Sequence, residues 1–447
     1  MTENETSLPF MSHHAAQLSD ATTYQARYEA LAEQLYRTHI LTDPWLNGEE
    51  RFLLEPVILS AKEAQAMQIA AETVGQVYDE LAQLIWQEPN WLDDFFHLTP
   101  YQKLMWLSSG GRWHFIARLD VFQDSAGGIK ICEMNSDTPS GEAEAVFLNE
   151  LLHPNTPKLC NPNAHFESQF VDAMLAMYRA DVACPKASPT IGIIYPTDLT
   201  EDLSMILLYK HWFEKRGFET VLGSPFNLSK TPDALRLFSR PIDIVIRHYK
   251  TDWWGERLPV WYDEDDYPDP YPMHNQLLAV LEAEAMHQVS VLNPFGAVLT
   301  QNKLTLAFLW AHRHRFSPAS QAAIKAYIPE TYRLIDVSPE QLCDEKDQWV
   351  MKSDYGCEGA EVILGKLTTD EVWKLSLAQA VKTRWIVQKY FDAKVLPQGG
   401  VANFGVYLIG GKAAGFYTRV SKGCTENHTP LPTDYTTPCA ATFVAES

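Results

Sequence analysis

Residues 114–141 read HFIARLDVFQDSAGGIKICEMNSDTPSG. From Trp113 to Asn135 the apolar residues recur with the period of strands, and Ser125-Ala126-Gly127-Gly128 supplies a four-residue turn, so the stretch predicts an antiparallel hairpin. Pairing Asp124 with Ile129 sets Asp120 opposite Glu133 and Arg118 opposite Asn135. Residues two apart on a strand share a face, so these four side chains converge on one side of the hairpin. Two carboxylates and an amide oxygen suit a hard cation such as Mg²⁺, which takes oxygen ligands and often also binds substrate phosphates. An arginine beside them could hold a phosphate or carboxylate bidentately. The same pattern also describes a solvated hairpin face with cross-strand ion pairs, and spacing alone does not choose between the two. The following Ser136–Gly141 is either a hydroxyl-rich substrate loop or a turn with a helix N-cap.

Outward from the hairpin the chain alternates helix and strand patterns. Residues from about 21 to 87 look helical, in TYQARYEALAEQLYRTHIL and again in SAKEAQAMQIAAETVGQVYDELAQLIW. Ser60 with Glu63 three places on forms a capping-box pattern ahead of the second run. A boundary follows in HPNTPKLCNPNAH. Short apolar strands at Ile191–Tyr195, in ETVLG, in IDIVIRHY and in SVLNP alternate with helical runs, which predicts a small parallel α/β unit. After Asn302 come helices, then strands near Trp349–Lys352, Val362–Leu364, Trp385–Lys389, Val401–Ile409 and Ala413–Val420. The aromatic and acidic run WYDEDDYPDPYP at 261–272 is the most conspicuous loop, and an interaction surface is one reading of it.

Composition bounds the function. The 447 residues carry 36 Lys and Arg against 57 Asp and Glu, a formal net charge of −21. That balance argues against nonspecific nucleic-acid binding, which needs clustered Lys and Arg. It is compatible with a cationic substrate such as a polyamine and with plain solubility. Seven cysteines form no C-x-x-C, which points to reduced thiols in a cytoplasmic setting. The opening MTENETSLPFMSHH lacks the basic and apolar regions of a secretory signal, and no uncharged apolar run reaches the ~18 residues of a membrane span.

Two further segments carry chemistry. In WVMKSDYGCEGAEVILGK, Lys352 ends a strand beside a loop holding Gly356 and Gly359. This is a phosphate clamp of lysine charge and backbone N–H groups, or an ordinary hairpin, and it fits neither the Walker nor the Rossmann glycine pattern. In VANFGVYLIGGKAAGFYTRVSKGCTEN, Gly410-Gly411 turns a second hairpin whose return strand ends near Arg419. That arginine either meets a phosphoryl group or is a surface cation.

Together the segments ARLDVF…KICEMNSDTPSGEAEA, LNPFGAVLTQNKLTLAFLW, WVMKSDYGCEGAEVILG, WIVQKYF and GVYLIGGKAAGFYTRVS resemble, in the same order, the glutathionylspermidine synthetase-like family over roughly residues 25–430. The resemblance implies a mixed α+β and α/β chain: a circularly permuted ATP-grasp fold with a pre-ATP-grasp α/β unit. It divides the chain into a flexible tail at 1–20, an N-terminal helical segment with the metal-binding hairpin at 21–187, the pre-ATP-grasp-like unit at 188–300 and the nucleotide-binding region at 301–447. It implies ATP and Mg²⁺ as cofactors, with Asp120, Glu133 and Asn135 as metal ligands. Arg118 falls near the acid substrate and Arg419 at the transferring phosphoryl group. Lys303 and Lys352 match nucleotide-phosphate lysines, and Gln388, Lys389 and Tyr390 match the adenine hinge. Thr138 and Ser140 match hydroxyls near the peptide substrate, and Glu256 an acidic residue near the amine.

The implied activity is an ATP-dependent carbon–nitrogen ligase that joins an acid, peptide or amino acid to a polyamine or other amine through an acyl phosphate. Its implied partners are small molecules, without nucleic acid or membrane. The alternative is a catalytically inactive nucleotide- or polyamine-binding regulatory protein on the same fold. Bifunctional relatives add an amidase with a catalytic cysteine; here the first cysteine is Cys132, inside the hairpin, so only the synthetase part is expected. The ending TDYTTPCAATFVAES departs from the family pattern and leaves the particular acid and amine open.

Overall fold

The structure is a computed structural model and describes residues 23–153, 158–197, 202–256, 273–356, 362–380, 384–421 and 436–446. The expected tail at 1–20, the loop at 261–272 and Gly359 lie outside these residues. The first helix, Tyr24–Thr38, starts where Thr23 accepts the Ala26 N–H. The second, Ala61–Gln87, opens on the capping box: Ser60 accepts the Glu63 N–H and the Glu63 carboxylate accepts the Ser60 N–H.

Between the two helices lies a strand the sequence reading did not anticipate, Phe52–Ser60. It pairs in parallel with the C-terminal strand Cys439–Ala445, and the register jumps from Leu53–Ala440 to Val57–Thr442. Pro56, which has no N–H to give, sits in that irregularity.

The largest sheet runs Phe52–Ser60, Cys439–Ala445, Lys412–Ser421, Val401–Ile409, Ile116–Gln123, Ile129–Asn135, with Leu159–Cys160 added beside Cys439–Ala445. Strand alternation divides its residues between two cores. Leu119, Val121, Val406 and Leu408 pack with Met67, Val74 and Leu81 of the long helix. Ile116, Tyr407 and Ile409 pack on the other face with Phe147, Phe166 and Phe170. Arg118 and Asp120 follow Ile116 onto this second face.

A four-stranded parallel sheet has the order Ser290–Leu292, Ile244–Arg247, Ile191–Ile194, Thr220–Gly223. The chain enters at Ile191–Ile194, moves outward to Thr220–Gly223, then crosses back to lay Ile244–Arg247 on the opposite side. These strands are short apolar runs because helices cover the sheet. A third, antiparallel sheet orders Thr331–Arg333, Trp385–Lys389, Trp349–Ser353 and Val362–Leu364. It has its own core of Leu334, Leu342, Trp349, Met351, Trp373 and Val387.

The hairpin is tied to the parallel sheet through buried polar groups. Asn293 accepts the Phe115 and Ile116 N–H groups at 2.7 and 2.9 Å and donates to the carbonyls of Ile116, Ser136 and Asp137. Arg247 and Asp137, both buried, pair at 2.5 Å. The second Asp137 oxygen accepts the Thr251 N–H and O–H at 2.7 and 3.0 Å. Removing one partner of a buried ion pair leaves an uncompensated charge and costs about 3–5 kcal/mol. We expect Arg247→Met to lower the free energy of unfolding of this part of the molecule by that amount, read as a lowered urea midpoint at an unchanged slope. A midpoint within error of wild type would show that the pair does not hold the two sheets together.

Candidate active site

The hairpin forms with a one-residue correction to the expected register. Asp124 does not pair with Ile129: its carboxylate accepts the Ala126 and Gly128 N–H groups and closes the turn, so Gln123 faces Ile129 instead. A β-bulge at Cys132 then restores Asp120 opposite Glu133 and Arg118 opposite Asn135. The bulge leaves the Cys132 carbonyl outside the ladder, and the Lys352 ammonium from the third sheet binds it at 3.2 Å.

Asp120 is the centre of the cluster. One oxygen receives Arg118 Nε at 3.3 Å and Asn135 Nδ2 at 3.4 Å; the other receives Arg419 Nη2 at 2.8 Å and Asn403 Nδ2 at 3.0 Å. Burial opposes ionisation, but Arg118, Arg419 and the amide donors prevail and hold the carboxyl down at about 2. Arg118 also donates through Nη1 to the Ser140 carbonyl at 2.6 Å, where the Tyr407 hydroxyl joins it at 2.8 Å. Gly405 makes room for this: a Cβ there would lie 2.6 Å from Arg118 Cδ. Gly141, at φ +97°, likewise lies against the Tyr417 ring, where a Cβ would come within 2.7 Å.

Glu133 faces Lys303 across 2.9 Å. Lys303 is buried and also donates to the Gly356 carbonyl at 2.5 Å. The loop before it is fixed by Gln301, whose side-chain oxygen accepts the Ser136 and Asp137 N–H groups, and by Thr300 bonded to the Ser136 hydroxyl. Lys352 completes the cationic set, donating at 2.9 Å to Gln388, which in turn donates to Thr331. Two carboxylates and an amide form the oxygen donor set on the hairpin. Among the described residues no three His, Cys, Asp or Glu side chains gather as a metal group, but carboxylate plus carboxamide oxygens are the ligands a hard Mg²⁺ takes.

Residues 36–431 match the family described as glutathionylspermidine synthase preATP-grasp. The chain belongs to that family. Its fold is therefore the circularly permuted ATP-grasp with a pre-ATP-grasp α/β unit. Among curated proteins none matches the sequence at a significant level. Among solved structures, a glutathione synthetase-like effector from Globodera pallida, in apo form, is similar over 93% of this chain and 97% of its own, with 12% identity and a TM-score of 0.56. A proposed gamma-glutamylcysteine synthetase from Methylobacillus flagellatus covers 79% of this chain and 87% of its own at 15% identity, with a TM-score of 0.45. At such identities the first likeness speaks for the fold alone, and the second carries no further argument.

The other family positions are placed unevenly. Lys389 points away from Lys352, binding Glu345 at 3.1 Å and Gln348 at 3.2 Å and lying 3.8 Å over the Trp349 ring. The backbone N–H groups of Lys389 and Tyr390 bond the Glu330 and Gln348 carbonyls, and Lys366 lies over the Tyr390 ring. Thr138 and Ser140 are half-buried on the loop that carries Arg118's carbonyl partner. Glu256 closes the helix Thr251–Glu256, and its side chain lies outside the described set. The sequence reading missed Asn403, Gln301, Asn293 and Glu142. Asn403 had a signal: it is a lone polar residue in the apolar strand VANFGVYLI.

Glu142 sits fully buried with Tyr209 O–H donating to it at 3.0 Å. Burial pushes its carboxyl up to about 8, outweighing its own backbone N–H, the Arg118 charge and the Tyr209 hydroxyl. In an unfolded chain a glutamate ionises near about 4.3. Across that window the folded state holds the extra proton, so this residue removes stability as pH rises toward about 8 and no more above it. We expect Glu142→Gln to gain on wild type at pH 8.5 relative to pH 5 in urea midpoint; a gap that does not change with pH would refute the assignment.

The ion pairs also predict competition. Lys303 neutralises a ligand carboxylate that a divalent cation would need. We expect Mg²⁺ titrated calorimetrically without nucleotide to bind Lys303→Met about tenfold more tightly than wild type, a modest electrostatic difference. The non-hydrolysable ATP analogue AMP-PNP should bind the variant more weakly. If both ligands weakened together, the pair would be structural.

Proposed function

We propose that the chain is an ATP-dependent, ADP-forming carboxylate–amine ligase that joins a peptide or amino acid to a polyamine or other amine. The observation that carries this reading is the convergence of Arg118, Arg419, Lys303 and Lys352 on Asp120, Glu133 and the adjoining hairpin backbone. A carboxylate is a poor acyl donor because its oxygen is a poor leaving group. Transfer of the γ-phosphoryl to that oxygen gives an acyl phosphate and ADP. Attack by the amine nitrogen on the acyl carbon then forms the amide, expels phosphate and releases a proton.

Phosphoryl transfer is largely positioning and charge neutralisation. Lys303 and Lys352 would bind nucleotide phosphates, Arg419 the moving phosphoryl group and Arg118 the acid. Asp120, Glu133 and Asn135 would hold Mg²⁺, which when bound would supply positive charge to neutralise phosphate oxygens. Gln388 fixes Lys352 from behind, and the strand Trp385–Lys389 with Tyr390 after it would border the adenine. Thr138 and Ser140 stand at the acid, and we assign Glu256 to the amine. The five described cysteines are free, which suits a cytoplasmic setting, and no described helix is long and apolar enough to cross a membrane.

The test is Mg²⁺-dependent ADP release over a matrix of small acids and peptides against amines, with glutathione and spermidine included. Release should require one acid and one amine together. Glu133→Ala and Lys352→Ala should each reduce it by at least about 100-fold, as for other residues that stabilise transition-state charge. Nucleotide binding with no turnover anywhere in the matrix would favour a binding-only protein, and absence of nucleotide binding would remove the ligase reading.

A further inference from the structure

Gly405, in the middle of three neighbouring strands, is the register partner of Asp120 on one side and of Tyr417 on the other. The glycine leaves the centre of that row without a side chain. The Arg118 stem takes the space, since a Cβ on Gly405 would meet its Cδ at 2.6 Å. Arg118 thereby crosses Val401–Ile409 and brings its guanidinium carbon to 5.4 Å from the centre of the Tyr417 ring. Arg419 follows Tyr417 two places on along one strand, hence on the same face, and its guanidinium carbon lies 5.6 Å from the same centre. One ring thus carries both arginines of the candidate site.

The ring is itself held. Gly141 lies against it, where a Cβ would come within 2.7 Å of two ring carbons, and its hydroxyl meets the Cys439 thiol at 3.2 Å. Burial first, then Cys439 and Glu144, push the phenol well above its usual range, so the ring stays uncharged. The Arg118 and Arg419 side chains are only 9% and 12% exposed. A cation over an aromatic face gains most where water is excluded.

The two guanidiniums also share one counter-ion. Arg118 Nε and Arg419 Nη2 bind the two oxygens of Asp120, so one negative charge serves two positive ones. Arg118 keeps the Ser140 carbonyl besides, whereas among the described residues Arg419 donates to Asp120 alone. Asp120 is also the carboxylate placed to hold Mg²⁺, and oxygens given to a metal ion are withdrawn from the arginines. The neutral ring of Tyr417 has no charge that a metal ion or a phosphate could draw off.

We propose that Tyr417 is a positioning residue: its ring holds Arg118 and Arg419 in place when Asp120 turns to the metal ion, so that one guanidinium meets the acid and the other the γ-phosphoryl group. The inference rests on the ligase reading for the roles of Asp120 and the two arginines. The test replaces Tyr417 by phenylalanine and then by its mono-, di- and trifluoro forms. Ring shape is nearly conserved, while each fluorine draws electron density from the face and weakens its hold on a cation. Urea midpoints are read without ligand, in the intact site and in Arg118→Met and Arg419→Met backgrounds. AMP-PNP and ADP are titrated calorimetrically with Mg²⁺, and their difference reports the contact with the γ-phosphoryl group.

Tyr417→Phe should keep AMP-PNP affinity within about twofold, and Tyr417→Leu should lose about tenfold. From phenylalanine to its trifluoro form AMP-PNP should weaken stepwise, by about fivefold in all, while ADP stays within about twofold. The urea midpoint should fall along the same series, and less steeply in either arginine variant. A series flat in midpoint and in AMP-PNP affinity, a midpoint trend that neither arginine variant changes, or equal weakening of AMP-PNP and ADP would make the ring a packing element and overturn the proposal. The series on the intact site decides the matter if an arginine variant does not fold. A wild type that binds neither nucleotide would overturn the ligase reading and this proposal together, whereas a flat series in a chain that binds both overturns this proposal alone.

Discussion

A buried carboxylate must be neutralised where it sits, and Asp120 is the group on which the site depends. At 8% exposure it is ionised only because Arg118, Arg419, Asn135 and Asn403 close on its two oxygens. These partners come from three more strands besides its own neighbourhood: Asn135 across the hairpin, Asn403 on the adjacent strand, Arg419 on the strand beyond. A slip of one residue in any ladder would turn its contribution to the opposite face. The charge therefore fixes the register of the sheet, and the Cys132 bulge is where the hairpin absorbs the mismatch between its turn and that register.

The same bulge joins two bodies of the molecule. A carbonyl released from one sheet becomes the acceptor for a lysine of another, and Gln388 holds that lysine from its own sheet. Lys303 makes the second bridge, from the segment after Ser290–Leu292 to Glu133. Lys303 and Arg419 thus double as counter-ions to carboxylates suited to metal, while Lys352 meets a carbonyl and an amide oxygen. Lys303 and Arg419 would therefore have to exchange partners to take up a phosphate, whereas Lys352 gives up only neutral oxygens.

Much of this was legible in the sequence because it is local. The hairpin, its four polar positions, the capping box at Ser60 and the short strands from Trp349 to Val420 follow from periodicity and turn residues, and their bounds agree with the structure to within a residue or two. The order of the motifs carried the permuted fold. What was not legible depends on distant partners. Phe52–Ser60 contains Pro56 and reads poorly as a strand; only its parallel pairing with Cys439–Ala445 makes it one. The bulge at Cys132 is set by the Asp124 turn acting against the Asp120 register. Glu142 reads as an ordinary first-turn acid of a helix, and only burial reveals it as a neutral group.

That neutrality bears on a larger contrast. The chain carries a net charge of −21, yet its ligand must be a polyanion if it is a nucleotide. Long-range charge is screened within about 10 Å in ordinary salt, so the local balance governs the site. Locally, among the described residues, Arg118, Arg419, Lys303 and Lys352 form ion pairs with only two carboxylates, Asp120 and Glu133, a surplus of cations in a dry setting where charge acts strongly. An ionised Glu142 beside Arg118 would erode that surplus. Burying it away from water, with a phenol as its hydrogen-bond donor, favours the protonated form and leaves the arginine's charge unopposed on that side. The acidic surface and the cationic interior are thus compatible, and the second is maintained by desolvating one acid rather than by adding another base.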